Sequence, residues 1–329
     1  MDQSIMSNIL FPVISLGGLG LVFGSGLAVA SRVFAVEVDP KVEEIRKALP
    51  GANCGACGFP GCDGLATAIA SGKAPVNACP VGGANAAEKI GLVMGVQAEA
   101  GEKKVAKVMC QGTECNAKNK FEYTGIKDCK AAVLVGGGSK ACQYGCLGLG
   151  TCLDVCAFDA ISIEDGIAKI DPDKCTSCGK CIEACPKSVI ELVPYSQKVH
   201  VECNSNEFGK DVKDKCSTGC IGCQICVKSC PFGAIEFENK LAKIDYEKCR
   251  NCMVCVEKCP TGAISGQLEN RKKANISEDK CIGCTICAKN CPVDAIEGEL
   301  KQTHKVIEDK CIGCGVCAEK CPKDAIELK

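Results

Sequence analysis

The chain has 329 residues and a formal net charge of −1, so its bulk charge gives no footing for a nucleic-acid partner. Aromatics make up only 4% and Trp is absent, which leaves little material for a large conventional core. Cysteine, by contrast, occurs 33 times, an odd number. In a short secreted chain that density would signal a disulfide scaffold. Here most cysteines stand in runs of four within about eleven residues, too crowded for the Cα separation a disulfide needs. Metal-bound thiolates fit better, with the metal supplying part of the folding free energy and a reducing compartment preserving the thiols.

The first element is apolar. No charged side chain occurs from Gln3 to Ser31, and the stretch Ile9 to Ala30 is long enough as a helix, roughly 33 Å, to cross a bilayer. Ala28-Val29-Ala30 resembles a signal-peptidase site, but the apolar run is too long for a signal-peptide core and no Lys or Arg precedes it. A retained single-pass anchor is expected. Arg32, Lys41, Arg46 and Lys47 follow it, so the positive-inside rule puts the cysteine-rich remainder on the cytoplasmic side. Gly20, Gly24 and Ala28 share one face and would let another membrane helix approach closely.

Next comes Cys54-x2-Cys57-x4-Cys62-x16-Cys79, four thiols on a Gly-rich loop leading into a helix over Asp63–Ser71. After a stretch carrying Cys110, Cys115 and Cys129 lies the irregular run Cys142-x3-Cys146-x5-Cys152-x3-Cys156. From residue 175 the chain repeats itself. The run C-x2-C-x2-C-x3-C-P occurs five times: at Cys175, Cys178, Cys181, Cys185; at Cys220, Cys223, Cys226, Cys230; at Cys249, Cys252, Cys255, Cys259; at Cys281, Cys284, Cys287, Cys291; and at Cys311, Cys314, Cys317, Cys321. This is the bacterial ferredoxin pattern, in which the fourth Cys ligates the other [4Fe–4S] cluster of a pair. Zinc sites instead join two distant C-x2-C units.

Connector lengths fix the pairing. Eighteen residues separate Cys156 from Cys175 and Cys230 from Cys249, and 19 separate Cys291 from Cys311; gaps of 34 and 21 lie between pairs. The short connectors carry Ala168-Lys169-Ile170-Asp171 and Ala242-Lys243-Ile244-Asp245, whose alternation predicts β-strands. Each run is followed by an apolar step such as Ala234-Ile235 or Ala325-Ile326, expected to cover the cubes. Glycines such as Gly222, Gly283 and Gly313 should let backbone N–H groups reach the sulfurs.

The expected fold is α+β: an N-terminal transmembrane helix, a small Fe4-S domain and three tandem two-cluster ferredoxin-like modules. Its divisions are an anchor over 1–34, the Fe4-S domain over 35–95, a linker with extra cysteines over 96–138, and modules over 139–195, 196–268 and 269–329. Cross-ligation in the first module would group Cys142, Cys146 and Cys152 with Cys185, and Cys156 with Cys175, Cys178 and Cys181. The others cross through Cys259 and Cys230, and through Cys321 and Cys291. Seven clusters on 28 cysteines result. Cys110, Cys115, Cys129, Cys203 and Cys216 stay unassigned: spare thiols, an alternative ligand in Cys216 beside Cys220, or an eighth cluster built from Cys110, Cys115 and Cys129 with a fourth. His200 and His304 fall outside the runs and read as surface residues. No acid, base or nucleophile stands out as catalytic.

The Cys54–Cys79 pattern, behind an N-terminal membrane helix and ahead of ferredoxin repeats, resembles the long form of the B subunit of the Rnf complex over nearly the whole chain. The Fe4-S domain alone is also similar to that of corrinoid iron–sulfur proteins. The Rnf resemblance implies a bacterial inner-membrane complex that exchanges electrons between soluble ferredoxin and NAD and couples this to sodium or proton transport. Its partners would be the other membrane and peripheral Rnf subunits, and this chain would receive electrons from ferredoxin. No nucleotide-binding loop with a following acidic residue is evident here, and Gly136-Gly137-Gly138 reads as a turn. NAD and flavin would therefore belong to other subunits. Two other readings compete. A reductive activator of a corrinoid methyltransferase should carry a cobalamin domain, and none fits between residues 80 and 140. Iron–sulfur subunits of formate dehydrogenase or hydrogenase complexes lack the Cys54 pattern behind a helix.

Overall fold

A computed structural model describes residues 3–33, 39–98 and 101–329; the expected boundary at 34/35 lies outside them. The absence of charge over the first thirty residues produces one long helix, α1 (Gln3–Val33). Its Val13–Val33 portion has a mean hydropathy of 2.0. Side chains such as Phe11, Leu21 and Leu27 project from it exposed, as a lipid-facing surface would.

Three short helices form the next unit: α2 (Pro40–Ala48), α3 (Gly61–Ala70) and α4 (Gly83–Met94). α2 starts where Asp39 caps the Lys41 N–H at 2.9 Å with Pro40 in the first turn. α4 stops at Gly95, whose φ of 70° ends the helix in the left-handed region. Between them Ile45, Leu65, Ile69 and Ile90 are fully buried, a small but real apolar core.

Beyond residue 101 every sheet has two antiparallel strands. β1 (Lys104–Val108) pairs with β4 (Ile190–Pro194). Between them β2 (Ile161–Glu164) pairs with β3 (Ile167–Ile170). In the second module β5 (His200–Val201) pairs with β8 (Ile264–Ser265), and β6 (Ile235–Glu238) with β7 (Leu241–Ile244). In the third, β9 (Ala274–Ile276) pairs with β12 (Ile326–Leu328), and β10 (Ile296–Glu297) with β11 (Lys305–Val306). The Ala-Lys-Ile-Asp phrases are β3 and β7.

Each module thus has an inner hairpin after its first cysteine run and an outer pair closing around both runs. In the first module the closing strand, β1, comes from the stretch expected to be a linker. Residues 109–141 are therefore an insertion between β1 and the first cysteine run, and they carry Cys110, Cys115 and Cys129.

The apolar steps take a fixed place. The carbonyls of Ala160, Ala234, Ala295 and Ala325 each accept a backbone N–H at 2.8 Å, from Asp171, Asp245, Ile307 and Ser277. The carbonyls of those four residues accept in turn from the first Cys N–H of the following run, at 3.0–3.1 Å. Strand and metal loop are thereby locked in register. Two-stranded sheets this short are marginal alone, and cysteines form part of the buried clusters of all three modules.

Candidate metal centres

The ferredoxin runs fold into a loop, one helical turn and an exit. A left-handed residue (Gly179, Gln224, Met253, Thr285 or Gly315) starts the turn. The third Cys lies on that turn, as Cys226 does on Ile225–Ser229. In the first three Pro-terminated runs the fourth Cys has already gone extended (Cys185, Cys230, Cys259), and the Pro prevents the helix from resuming. That exit aims the fourth thiol away from its own loop.

The thiols meet across runs. A cavity of about 370 Å³ is ringed by Cys220, Cys223, Cys226 and Cys259. Another of about 340 Å³ is ringed by Cys281, Cys284, Cys287 and Cys321, and one of about 330 Å³ by Cys291, Cys311, Cys314 and Cys317. Cys230 stands beside Cys249, Cys252 and Cys255. Cys156 stands beside Cys181, with Cys175 and Cys178 next to it. Among the described residues no three or more His, Cys, Asp or Glu side chains converge on a single-ion site. Four thiols spread around a cavity suit a cube that offers a separate iron to each.

Backbone N–H groups point at the sulfurs. Ala234, Ala295 and Ala325 donate to Cys230, Cys291 and Cys321 at 3.2–3.3 Å, Ala106 to Cys175 at 3.3 Å, and Ala274 to Cys311 at 3.5 Å. Burial pushes the Cys226, Cys181 and Cys317 thiols up to about 11 and Cys255 up to about 12, neighbouring thiols adding to the effect. A bare thiolate is disfavoured in such a site; bound iron removes the penalty, and the N–H donors stabilise the electron-rich sulfur.

In the first module the thiols are arranged differently from the expected grouping. Cys152 stands among Cys146, Cys129, Cys185 and Cys181, and burial pushes it up to about 12. Cys142 faces elsewhere, lining a cavity with Cys110, Cys203 and Cys216. Cys129 is held beside Cys152: Asp128 caps the helical turn Cys129–Leu134, and the Cys129 N–H donates to Thr151 Oγ1 at 2.6 Å. Cys115, considered for an eighth cluster, is exposed and lines none of these cavities.

Around α3, Asn53 adopts a φ of 47° and its Oδ1 accepts the Cys62 N–H at 2.8 Å, fixing the loop that carries Cys54 and Cys57. Cys57 and Cys62 neighbour Cys79, which accepts the Gly82 N–H at 3.3 Å.

The two histidines are not at the surface. His304, 1% exposed, lines the cavity ringed by Cys281, Cys284, Cys287 and Cys321, and His200, on β5, meets the Tyr246 hydroxyl at 2.9 Å and is pushed down to about 4, chiefly by burial. β5 turns His200 inward between Val199 and Val201, whereas His304 precedes β11 and is buried outside any strand.

Known proteins share these features. A 4Fe-4S dicluster domain family matches residues 274–328, a second matches 219–263 and 248–295, a 4Fe-4S binding domain matches 168–191, and an Fe–S cluster family matches 49–81. The chain is 56% identical over 268 residues to the B subunit of the Na(+)-translocating ferredoxin:NAD(+) oxidoreductase complex of Acetobacterium woodii, covering 81% of this chain and 80% of that one. It is 47% identical to the B subunit of the ion-translocating oxidoreductase complex of Methanosarcina acetivorans (74% and 93% covered). It is 44% identical to the B subunit of the proton-translocating ferredoxin:NAD(+) oxidoreductase complex of Clostridium ljungdahlii (74% and 87%). With its iron–sulfur domains and membrane-length helix, the chain belongs to the B-subunit family of the ion-translocating ferredoxin:NAD oxidoreductase (Rnf) complexes, as their iron–sulfur electron-transfer subunit.

Proposed function

We propose that this chain takes electrons from reduced soluble ferredoxin and relays them, one at a time, through [4Fe–4S] clusters to partner Rnf subunits. The observation that supports the relay is the meeting of thiols from paired runs around common cavities. Cavities ringed by three thiols of one run and the fourth of its partner bring two cubes into one small module.

Seven sites follow from the paired runs and the first domain. One is held by Cys54, Cys57, Cys62 and Cys79. In the first module one is held by Cys146, Cys152 and Cys185 with Cys129, the other by Cys156, Cys175, Cys178 and Cys181. In the second, Cys220, Cys223 and Cys226 share a cube with Cys259, and Cys249, Cys252 and Cys255 share one with Cys230. In the third, Cys281, Cys284 and Cys287 group with Cys321, and Cys311, Cys314 and Cys317 with Cys291. The chain's residues do no acid–base work. They hold iron, exclude water and set the potential through N–H donors and burial.

α1 anchors the chain in the cytoplasmic membrane with the modules on the cytoplasmic side, a reading supported by Arg32, Lys41, Arg46 and Lys47. Anaerobic iron and acid-labile sulfide analysis, with EPR after dithionite reduction, tests the relay. At least about 28 irons per chain with low-potential cubane signals are expected, four for each site; about eight irons, or zinc in their place, would refute it.

A further inference from the structure

The cavity that Cys142 lines lies outside the seven sites. Like the three cavities shared between paired runs, it is ringed by four cysteines: Cys110, Cys142, Cys203 and Cys216. We propose that these four hold an eighth [4Fe–4S] cluster, seated between the first and second modules and joining their electron paths. The inference rests on the reading of the paired cavities as cubane sites.

Several independent features fit. A methyl built on Gly145 would stand 3.5 Å from Cys110 Sγ and 3.6 Å from Cys142 Sγ, so these two thiols flank one backbone position. Cys142 and Cys216 are neighbours, as are Cys142 and Cys203. The sulfurs receive the same kind of donor seen at the other sites. Gly112 and Cys146 N–H groups donate to Cys110 Sγ at 3.3 and 3.4 Å, and Cys203 accepts from the backbone at Cys220 and Ser205. A cube with four thiolates is an anion, and a buried cation stands at its wall. Lys140, 5% exposed, has its Nζ fixed by the Gly112 carbonyl at 2.6 Å and the Gly166 carbonyl at 2.8 Å. A buried ammonium needs compensation, and the cluster supplies it.

Placement gives the cluster its task. Cys110 adjoins Cys146, a ligand in the first module, and Cys203 adjoins Cys220, a ligand in the second. Within modules Cys152 neighbours Cys181 and Cys226 neighbours Cys255. Between the second and third modules Cys314 neighbours Cys252. The eighth cube fills the interval between the first and second modules and makes the path continuous from Cys175 to Cys321. Each transfer oxidises one reduced cube from the 1+ to the 2+ core and reduces its neighbour from 2+ to 1+. Ferredoxin supplies the electron, and no bond is made or broken. Cys115 alone is then left without a cluster.

Full-length chain purified anaerobically within its complex is assayed for iron and labile sulfide, beside Cys110→Ser/Cys216→Ser and Cys115→Ser variants. The parent and the Cys115→Ser variant should hold about 32 irons and the double variant about 28, four per cube. EPR lines broadened by coupling between modules should narrow in the double variant. The unaltered protein gives a reading that does not depend on the variant folding. Alkylation under native anaerobic conditions, mapped by mass spectrometry, should modify Cys115 and spare Cys142, Cys203 and Cys216 until iron is chelated. A parent with about 28 irons whose Cys142 and Cys216 alkylate in the native state overturns the eighth cluster and leaves the relay standing. A parent with about eight irons removes the relay itself.

Discussion

The second position between the first two ligands of each ferredoxin run is held in the left-handed region, and its occupant is dictated by what passes beside it. Gly222, Gly283 and Gly313 have φ of 65–69°. A Cβ on Gly283 would meet Gln302 N at 2.5 Å and Gln302 O at 2.6 Å, backbone atoms that cannot swing aside. The Gly283 carbonyl also accepts the Lys301 N–H at 2.9 Å, so loop and strand connector are tied at the point of closest approach. Gly283→Ala therefore meets left-handed strain of about 1–2 kcal/mol and overpacking of about 1–3 kcal/mol. The sum, about 2–5 kcal/mol, falls on the third module. Hydrogen exchange in the full-length protein reads it locally. Amides of β10 and β11 should exchange faster by roughly 30-fold to several thousandfold, each tenfold step being about 1.4 kcal/mol. Asn251 holds the same loop position in the second module with a φ of 51°, where its side chain accepts the Lys198 N–H at 2.9 Å and donates to Ser196 O at 3.4 Å. Asn251→Gly relieves strain as it gives up hydrogen bonds, so the two nearly offset, within about 1 kcal/mol. If Gly283→Ala exchanges within threefold of the parent, the close-approach argument is wrong.

His200 is neutral in the native state down to a pKa of about 4, whereas an unfolded histidine takes a proton near 6.5. The unfolded chain thus binds more protons between those values, so the contribution is present above pH 6.5 and lost as pH falls towards 4. A stability loss of about 2–3 kcal/mol over that interval should be missing from His200→Phe; equal pH slopes in denaturant titrations would count against it. Lys140→Met removes a buried positive charge beside Cys110 and Cys146. Because that charge favours the more negative, reduced cube, EPR-monitored titration should show a nearby midpoint falling by on the order of tens of millivolts; a rise would contradict the placement. Iron chelation should leave α2–α4 folded on Ile45, Leu65, Ile69 and Ile90 and unfold the three modules, as followed by hydrogen exchange. Protected β6–β7 amides after chelation would show that the sheets hold without metal.

Much of this architecture could be read from spacing. Ferredoxin runs carry their chemistry locally: three ligands wrap one loop, the Pro forces the fourth outward, and connector length decides which run it can reach. The Ala-Lys-Ile-Asp phrases likewise announce β3 and β7. The first module is harder to read because its thiols are not local. Cys142 and Cys129 are interchangeable by residue type and nearly so by position, and only the insertion after β1 brings Cys129 beside Cys146 and Cys152. That insertion was itself hidden, since five residues of β1 resemble a linker until β4, more than eighty residues later, is placed beside them. The histidines misled for a related reason. Polarity suggests exposure; His200 lies on a strand of only two residues, too short for its alternation to show, and His304 lies outside any strand.

The same crowding of thiols answers two demands that would otherwise conflict. A relay needs its centres close, and closeness of anionic cubes is electrostatically unfavourable in a dry interior. The repeat meets this by distributing donors: the fourth cysteines Cys230, Cys291 and Cys321 each receive a backbone N–H from the apolar step that follows, a partial positive charge at the sulfur. The apolar step also excludes water, with Ala234, Ala295 and Ala325 buried and Ile235, Ile296 and Ile326 beside them. Each module is thereby built with hardly any conventional core. Joining modules poses the same difficulty without the repeat to solve it. Between the second and third modules the runs themselves meet, Cys252 near Cys314, with Arg250 and Glu319 paired at 2.6 Å at the edge. Between the first and second, the connector from Cys185 to Cys220 is the longest between ferredoxin runs, and it is there that the chain gathers Cys110, Cys142, Cys203 and Cys216 around a cavity with Lys140 buried at its wall. At that junction the buried Lys140 adds to the backbone N–H donors at Cys110 and Cys203, the combination that the proposed eighth cluster calls for.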